Sequence, residues 1–366
     1  MADAHHPEGH RRASMGPVNR VRGYRARLIA FRSLARSAVR REQKPSRGPG
    51  TDGRPRLTRL VVIGAAIITA GAIALVSSLH GRSNDPAATP SAAARAKPGS
   101  FLGVFVRGVP QSYAGIRAFT TAARVRPRLV VYYSGWEEPF QSRFAAVAAR
   151  NDAMPLVQID PTGVSLTAIA SGRYDTYLRS YASEVKSFGR RVVLSFGPEM
   201  NGIWYSWGYR HTSPEVFVAA WRHIVTLFRA AGARNVIWLW TINISQCRCH
   251  IQPPAAWWPG NSYVNWVGID GYYFKSSWKF ASLFGPTIKA VRALTLDPIL
   301  ISETAAPSAN QPAKIPDLFA GVRAYGLLGF VWFDVNKGPY QNWRISRPGA
   351  FAAFRRGAET LKGSEP

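Results

Sequence analysis

The feature that most constrains this chain is a series of eight short apolar runs between Phe101 and Val335, separated by polar or helix-forming sequence. They read FLGVFV (101–106), RLVVYYSG (128–135), MPLVQID (154–160), RVVLSFG (191–197), NVIWLWTIN (235–243), VNWVGIDGYY (264–273), PILISETA (298–305) and LLGFVWFDV (327–335). Each is rich in β-branched and aromatic residues and nearly continuous rather than alternating. A strand with one face in water alternates, whereas a continuous run marks burial on both faces, the condition of parallel strands. Parallel neighbours need a crossover, and Phe140–Arg150, Tyr174–Phe188, Pro214–Ala231, Phe280–Leu294 and Ile315–Tyr325 are helix candidates. Eight strand–helix pairs in about 260 residues match an α/β fold of the (β/α)8, or TIM, barrel type. A doubly wound open sheet would have fewer strands, and neither G-x-G-x-x-G nor G-x-x-x-x-G-K-[S/T] follows the first run.

Upstream of the runs the sequence changes character. Leu60–Leu79 holds 20 residues with no charge and three hydroxyl side chains, and as a helix it would cross the ~30 Å hydrocarbon core of a bilayer. Arginines at 54, 56 and 59 crowd its N-terminal side, while Arg82 stands almost alone beyond it. Positive-inside bias then leaves the N-terminus in the cytoplasm and the barrel outside the cell membrane. The expected organisation is a basic, disordered cytoplasmic tail over 1–58, a transmembrane helix over 59–80, a Pro/Ala/Ser linker over 81–100 and a monomeric barrel over 101–358. The net charge of +27 is extreme, yet the first 59 residues account for +11 (15 Lys/Arg against 4 acids) and the other +16 is spread thinly. With no dense basic run, nucleic acid is not an expected partner; the lipid bilayer and a polymer are.

Catalytic groups of such barrels stand at the C-terminal ends of strands. The fourth run ends in SFGPEMNGIWYSWG, placing Glu199 at the lip, and the seventh ends in LISET, placing Glu303 there. Two carboxylates over one barrel mouth are what glycoside hydrolysis requires, one to protonate the leaving oxygen and one to act at the anomeric carbon. The string Glu199-Met200-Asn201-Gly202, followed by Trp204, Tyr205, Trp207 and Gly208, resembles the acid/base motif of glycoside hydrolase family 26, β-mannanase-like enzymes of a retaining (β/α)8 clan. The resemblance extends over about 101–350 and takes in VGIDGYY, SET and Trp332. It implies Glu199 as general acid/base, Glu303 as nucleophile, Tyr272 as the residue orienting the nucleophile, Trp204 and Trp332 as the frame of the sugar, and Asn201 as an anchor of the acid/base loop. It also implies a retaining mechanism on a β-linked polysaccharide such as mannan or glucan. Two positions depart from the family: Pro198 stands where histidine usually precedes the acid/base, and the third run ends in QIDP where a cleft histidine is common. Both bear on which polymer is bound.

Aromatic residues just after strands suit stacking against sugar rings, and Trp136, Trp204, Trp207 and Trp332 are the candidates taken forward, with Asp160 for hydroxyl groups. Asn243, Asp270, Asp334 and Asn336 are further hydroxyl-binding candidates. Cys247 and Cys249, in CRCH with His250, lack zinc spacing; a strained disulfide or two thiols is expected, with no metal and no cofactor. The competing reading is a non-hydrolytic relative that binds or processes an exopolysaccharide. A pure binding cleft, however, has no reason to hold two mutually repelling carboxylates.

Overall fold

The eight apolar runs form eight parallel strands, β1 (Phe101–Val106), β2 (Leu129–Gly135), β3 (Met154–Asp160), β4 (Val192–Phe196), β5 (Val236–Asn243), β6 (Trp266–Asp270), β7 (Ile299–Thr304) and β8 (Gly329–Asp334). Each pairs with the next, and β8 pairs with β1, closing the barrel. This computed structural model describes residues 97–245, 251–338 and 341–362. The expected tail (1–58), transmembrane helix (59–80), most of the linker (81–100), Cys247, Cys249 and His250 lie outside the described residues. Among the described residues no helix is long and apolar enough to cross a membrane.

The crossovers are α1 (Ala114–Ala123), α2 (Ser142–Arg150), α3 (Leu166–Ala170), α4 (Asp175–Phe188), α5 (Pro214–Ala230), α6 (Phe280–Arg292), α7 (Gln311–Ala324) and the closing α8 (Pro348–Lys362). Sequence spacing did not single out α1, α3 or α8. Helix α7 begins four residues before the expected Ile315, because Pro312 in its first turn and Pro316 beyond it read as breaks although the helix holds both. Local signals start and stop the others: the Ser213 hydroxyl accepts from the Val216 N–H ahead of Pro214 in α5, and Gly189 closes α4 in the left-handed region. Helix α5 buries Phe217, Trp221, Ile224 and Phe228, with Phe228 edge-on to Trp238 of β5 at 5.2 Å. Burying each such side chain contributes about 2–3 kcal/mol.

The upper interior of the barrel is divided. On β8, β1 and β2 it is aromatic, Phe105 lying 4.5 Å from Phe333 and 5.0 Å from Tyr133. On β4 to β7 it is polar: Ser195 and Thr241 share a hydroxyl hydrogen bond of 2.9 Å, and Ser302 donates to Asp270 at 2.6 Å. Gly268 makes room for this layer, since a Cβ there would fall 2.5 Å from the Ser302 hydroxyl and 2.7 Å from that of Thr241. Beyond this layer, at the C-terminal ends of the same strands, are the two glutamates.

Candidate active site

Glu199 sits on the turn leaving β4, and its backbone is in the left-handed region at φ 57°. For a residue with a Cβ this costs on the order of 1–3 kcal/mol and persists only where the surroundings hold it. Here they do. The Glu199 N–H donates to the Thr241 carbonyl at 2.9 Å, the Gly202 N–H returns to the Glu199 carbonyl at 2.9 Å, and the Trp207 indole donates to the Pro198 carbonyl at 2.9 Å. Asn201, fully buried, locks the loop to β5: its side-chain amide donates to the Asn243 carbonyl at 2.9 Å and accepts the Asn243 N–H at 2.8 Å. Its contacts are those of a loop anchor.

The Glu199 carboxylate is 1% exposed and accepts two bonds. The Trp204 indole donates to Oε2 at 2.8 Å and the Asn243 amide to Oε1 at 2.5 Å. Gly202 permits the first, because a Cβ at that position would lie 2.3 Å from the Trp204 ring. Pro198 brings no side-chain donor to this carboxylate.

Glu303 is held quite differently, within β7 and also 1% exposed. The Tyr272 hydroxyl donates to its Oε2 at 2.7 Å, and the Tyr133 hydroxyl from β2 donates to its Oε1. Burial, and then the charge of Glu303, push the Tyr272 phenol well above its ordinary range, so it stays protonated and remains a donor. Strand register sets Asn243 level with Asp270 and Asp270 level with Glu303. One row across β5, β6 and β7 therefore joins the Asn243 that touches Glu199 to the Glu303 position.

Two expected sugar contacts are corrected. Trp332 is fully buried, donates its indole N–H to the Trp343 carbonyl at 3.1 Å and meets Phe354 of α8 edge-on at 6.3 Å. It faces the helix layer, while its neighbour Phe333 faces the barrel against Phe105, Tyr133 and Tyr272. Successive strand side chains take opposite faces, so only one of the pair can look inward. Trp207 is 1% exposed and stacks on Tyr205 at 4.3 Å, which makes it the floor of the loop rather than a cleft wall. Trp136 is half-buried and edge-on to Tyr174, Tyr177 and Phe196. Asp160 ends β3, 1% exposed and level with Gly135 of β2. Asp334 accepts the Ile345 N–H at 2.6 Å and so pins the loop after β8.

The structure also adds residues that sequence reasoning passed over. Tyr133 is one, and Trp343 is another: it stacks on Tyr272 at 4.5 Å and 29°, with the Lys337 ammonium 5.1 Å from its ring centre. The aromatic ring backing the nucleophile's tyrosine thus comes from the loop after β8 and not from the strand itself.

Comparison with known proteins adds to this geometry. Residues 173–347 match the sequence profile of glycosyl hydrolase family 26. Endoglucanase H of Acetivibrio thermocellus is 30% identical over 272 residues, covering 69% of this chain and 30% of that protein. The β-1,3-xylanase TXYA of a Vibrio species is 26% identical over 174 residues, 44% of this chain and 36% of that one. This chain thus spans about a third of the length of the curated relatives it matches. A family 26 β-mannanase from Bacteroides ovatus superposes with a TM-score of 0.54 at 15% identity, over 74% of this chain and 91% of its own, and shares the fold.

Proposed function

Since this chain belongs to glycosyl hydrolase family 26, we propose that its barrel hydrolyses a β-linked polysaccharide by a retaining double displacement, with Glu303 as nucleophile and Glu199 as acid/base. The observation that carries this reading is the pair of buried carboxylates with unlike holders, joined by the level row Asn243, Asp270, Glu303. In the first step a Glu303 oxygen attacks the anomeric carbon, the glycosidic C–O bond breaks, and Glu199 delivers its proton to the departing oxygen. A glycosyl ester on Glu303 results. In the second step water gives its proton to Glu199 and its oxygen to the anomeric carbon, and the ester bond breaks to regenerate the Glu303 carboxylate. Tyr133 and Tyr272 orient Glu303 and stabilise its charge when it leaves. Trp204, half-buried and bonded to Glu199, is the aromatic best placed to meet the sugar.

A β-glucan is the first polymer to try, because the relative matched over 272 residues is an endoglucanase and Pro198 replaces the histidine usual in the family. The anchor belongs to the same proposal: the uncharged stretch Leu60–Leu79 and the arginines ahead of it support a single-pass protein with its N-terminus in the cytoplasm and a monomeric barrel outside.

The test is reducing-end release by the full chain from β-glucan, mannan, xylan and the native cell-surface polysaccharide, beside Glu303→Ala. The anomer first formed is then read by proton NMR. Release that the variant lacks, with retained configuration, is expected. Inversion would overturn the nucleophile assignment. Binding to a polymer with no release from any would replace hydrolysis with the reading of a non-hydrolytic relative that binds or processes an exopolysaccharide.

A further inference from the structure

Beside the loop that carries Glu199 lies a cavity of about 470 Å³, within the size range of small-ligand sites. Tyr209, Arg210 and His211 line one part of it and Gln252 and Trp257 another. Backbone bonds fasten it to the catalytic loop: the Tyr209 N–H donates to the Met200 carbonyl at 2.8 Å, the Gln252 N–H donates to the Asn201 carbonyl at 2.8 Å, and Gly202 bridges to Ile251. The hydrolytic mechanism uses none of these side chains.

Their chemistry is that of an anion reader. Arg210 is exposed, lies 5.4 Å over the Tyr209 ring, and has no carboxylate partner among the ion pairs of the described residues. Its backbone is held in the left-handed region at φ 71°, at the apex of a turn in which the His211 and Thr212 N–H groups both donate to the Gly208 carbonyl at 3.0 Å. The Arg210 and then the Gln252 side chain beside it draw the Tyr209 phenol below its ordinary range. Arg210 and Gln252 thus line one cavity, where a guanidinium and a carboxamide can both reach a carboxylate. The N-terminus of α5 is not the attraction, because the acidic Glu215 already stands in its first turn.

We propose that this cavity binds an acid-bearing sugar, a uronosyl unit of the glycan held by the barrel, with the ring on Tyr209 and its carboxylate on Arg210 and Gln252. The proposal rests on the glycanase reading and narrows its substrate to an acidic β-glycan. The net charge of +16 beyond the first 59 residues favours capture of such a polyanion.

The test is calorimetric binding of cellotetraose and of the β-1,4-linked tetraglucuronate to the full chain carrying Glu303→Gln, which prevents turnover. The acidic tetramer is expected to bind at least about tenfold tighter at low salt, with the ratio falling to about one in Arg210→Gly. Glycine accepts the left-handed backbone at this position, so a misfolded variant is not the explanation of a loss, and unchanged thermal unfolding checks this. Equal affinities, binding of neither tetramer, or a preference that survives Arg210→Gly would overturn the proposal. Binding needs no bond cleavage. A chain that prefers the acid but hydrolyses nothing defeats the glycanase reading alone, while one that hydrolyses neutral glucan without any acid preference defeats this one alone.

Discussion

Glu199 and Glu303 are equally buried and share one barrel mouth, yet the protein holds them by opposite means. Glu199 rides a turn outside the sheet, in a strained backbone conformation, and its donors are an indole and a carboxamide. Glu303 lies inside a strand, and its donors are two phenols, Tyr133 on β2 and Tyr272 just after the end of β6. The difference matches the proposed work. A nucleophile must present one oxygen along a fixed line, and two O–H groups on a rigid frame secure that. An acid/base must exchange its proton twice in each turnover, and a carboxamide can donate to the ionised form or turn its carbonyl to the protonated one.

The largest expected effect comes from deleting each carboxylate. Glu303→Ala should lower kcat on polymer by roughly four orders of magnitude or more, since no covalent intermediate can form. Glu199→Ala should cost about 10²–10⁴-fold on polymer, and far less in the glycosylation step of a nitrophenyl glycoside, whose leaving group needs no proton. Equal losses on both substrates, measured by steady-state and burst kinetics, would break the comparison.

Removing one donor at a time sharpens it. Tyr133→Phe and Tyr272→Phe should each lower kcat by roughly 10–100-fold, the worth of a charge-assisted hydrogen bond. Trp204→Phe, which keeps a ring and drops the N–H, should cost less than either. If Tyr133→Phe is silent while Tyr272→Phe is not, the nucleophile has one working phenol and Tyr133 is a packing residue.

How much of this was legible in the sequence follows from one physical fact. Continuous apolar runs announced the strands because both faces are buried, but the same burial erased the alternation that tells inward from outward. Glu303 was legible because a charge does not belong in such a run, and Glu199 because it stands two residues past the end of one, inside EMNGIWYSWG. Phe333 and Trp332 were not separable, as each face of β8 takes a large aromatic. Tyr133 was hidden in the same way inside LVVYYSG. Trp343 was beyond reach for another reason: it arrives over Tyr272 from a loop whose path depends on the side chain of Asp334.

The acid/base side can also be probed through its carboxamide. Asn243→Asp would set a second carboxylate against Glu199. Like charge disfavours ionisation, so the Glu199 pKa should rise. The basic limb of the kcat/KM profile, where the acid must still be protonated, should then move to higher pH. An unmoved limb, with the fold intact by circular dichroism, would mean that Asn243 does not govern the proton on Glu199.

The smallest expected effect concerns the supports rather than the carboxylates. The Glu199 loop is tied down by amides and an indole, none of which titrates near neutral pH. The loop that brings Trp343 over Tyr272 is pinned by Asp334, whose carboxyl is pushed up to about 6 by burial, against the pull of the Ile345 N–H and the Arg344 charge. A folded pKa raised above the unfolded value means that protonated Asp334 is the favoured folded form. Its contribution to stability is therefore full below about pH 4 and is lost as pH rises to about 6. The loss is on the order of 2–3 kcal/mol. Asp334→Asn keeps an acceptor for the Ile345 N–H and carries no charge, so it should match the wild type near pH 4 and exceed it near pH 7. Urea midpoints at the two pH values measure the difference. A wild-type minus variant stability that stays flat between them would show that the support of Glu303 is as indifferent to pH as that of Glu199, and would remove this last contrast between the two sides.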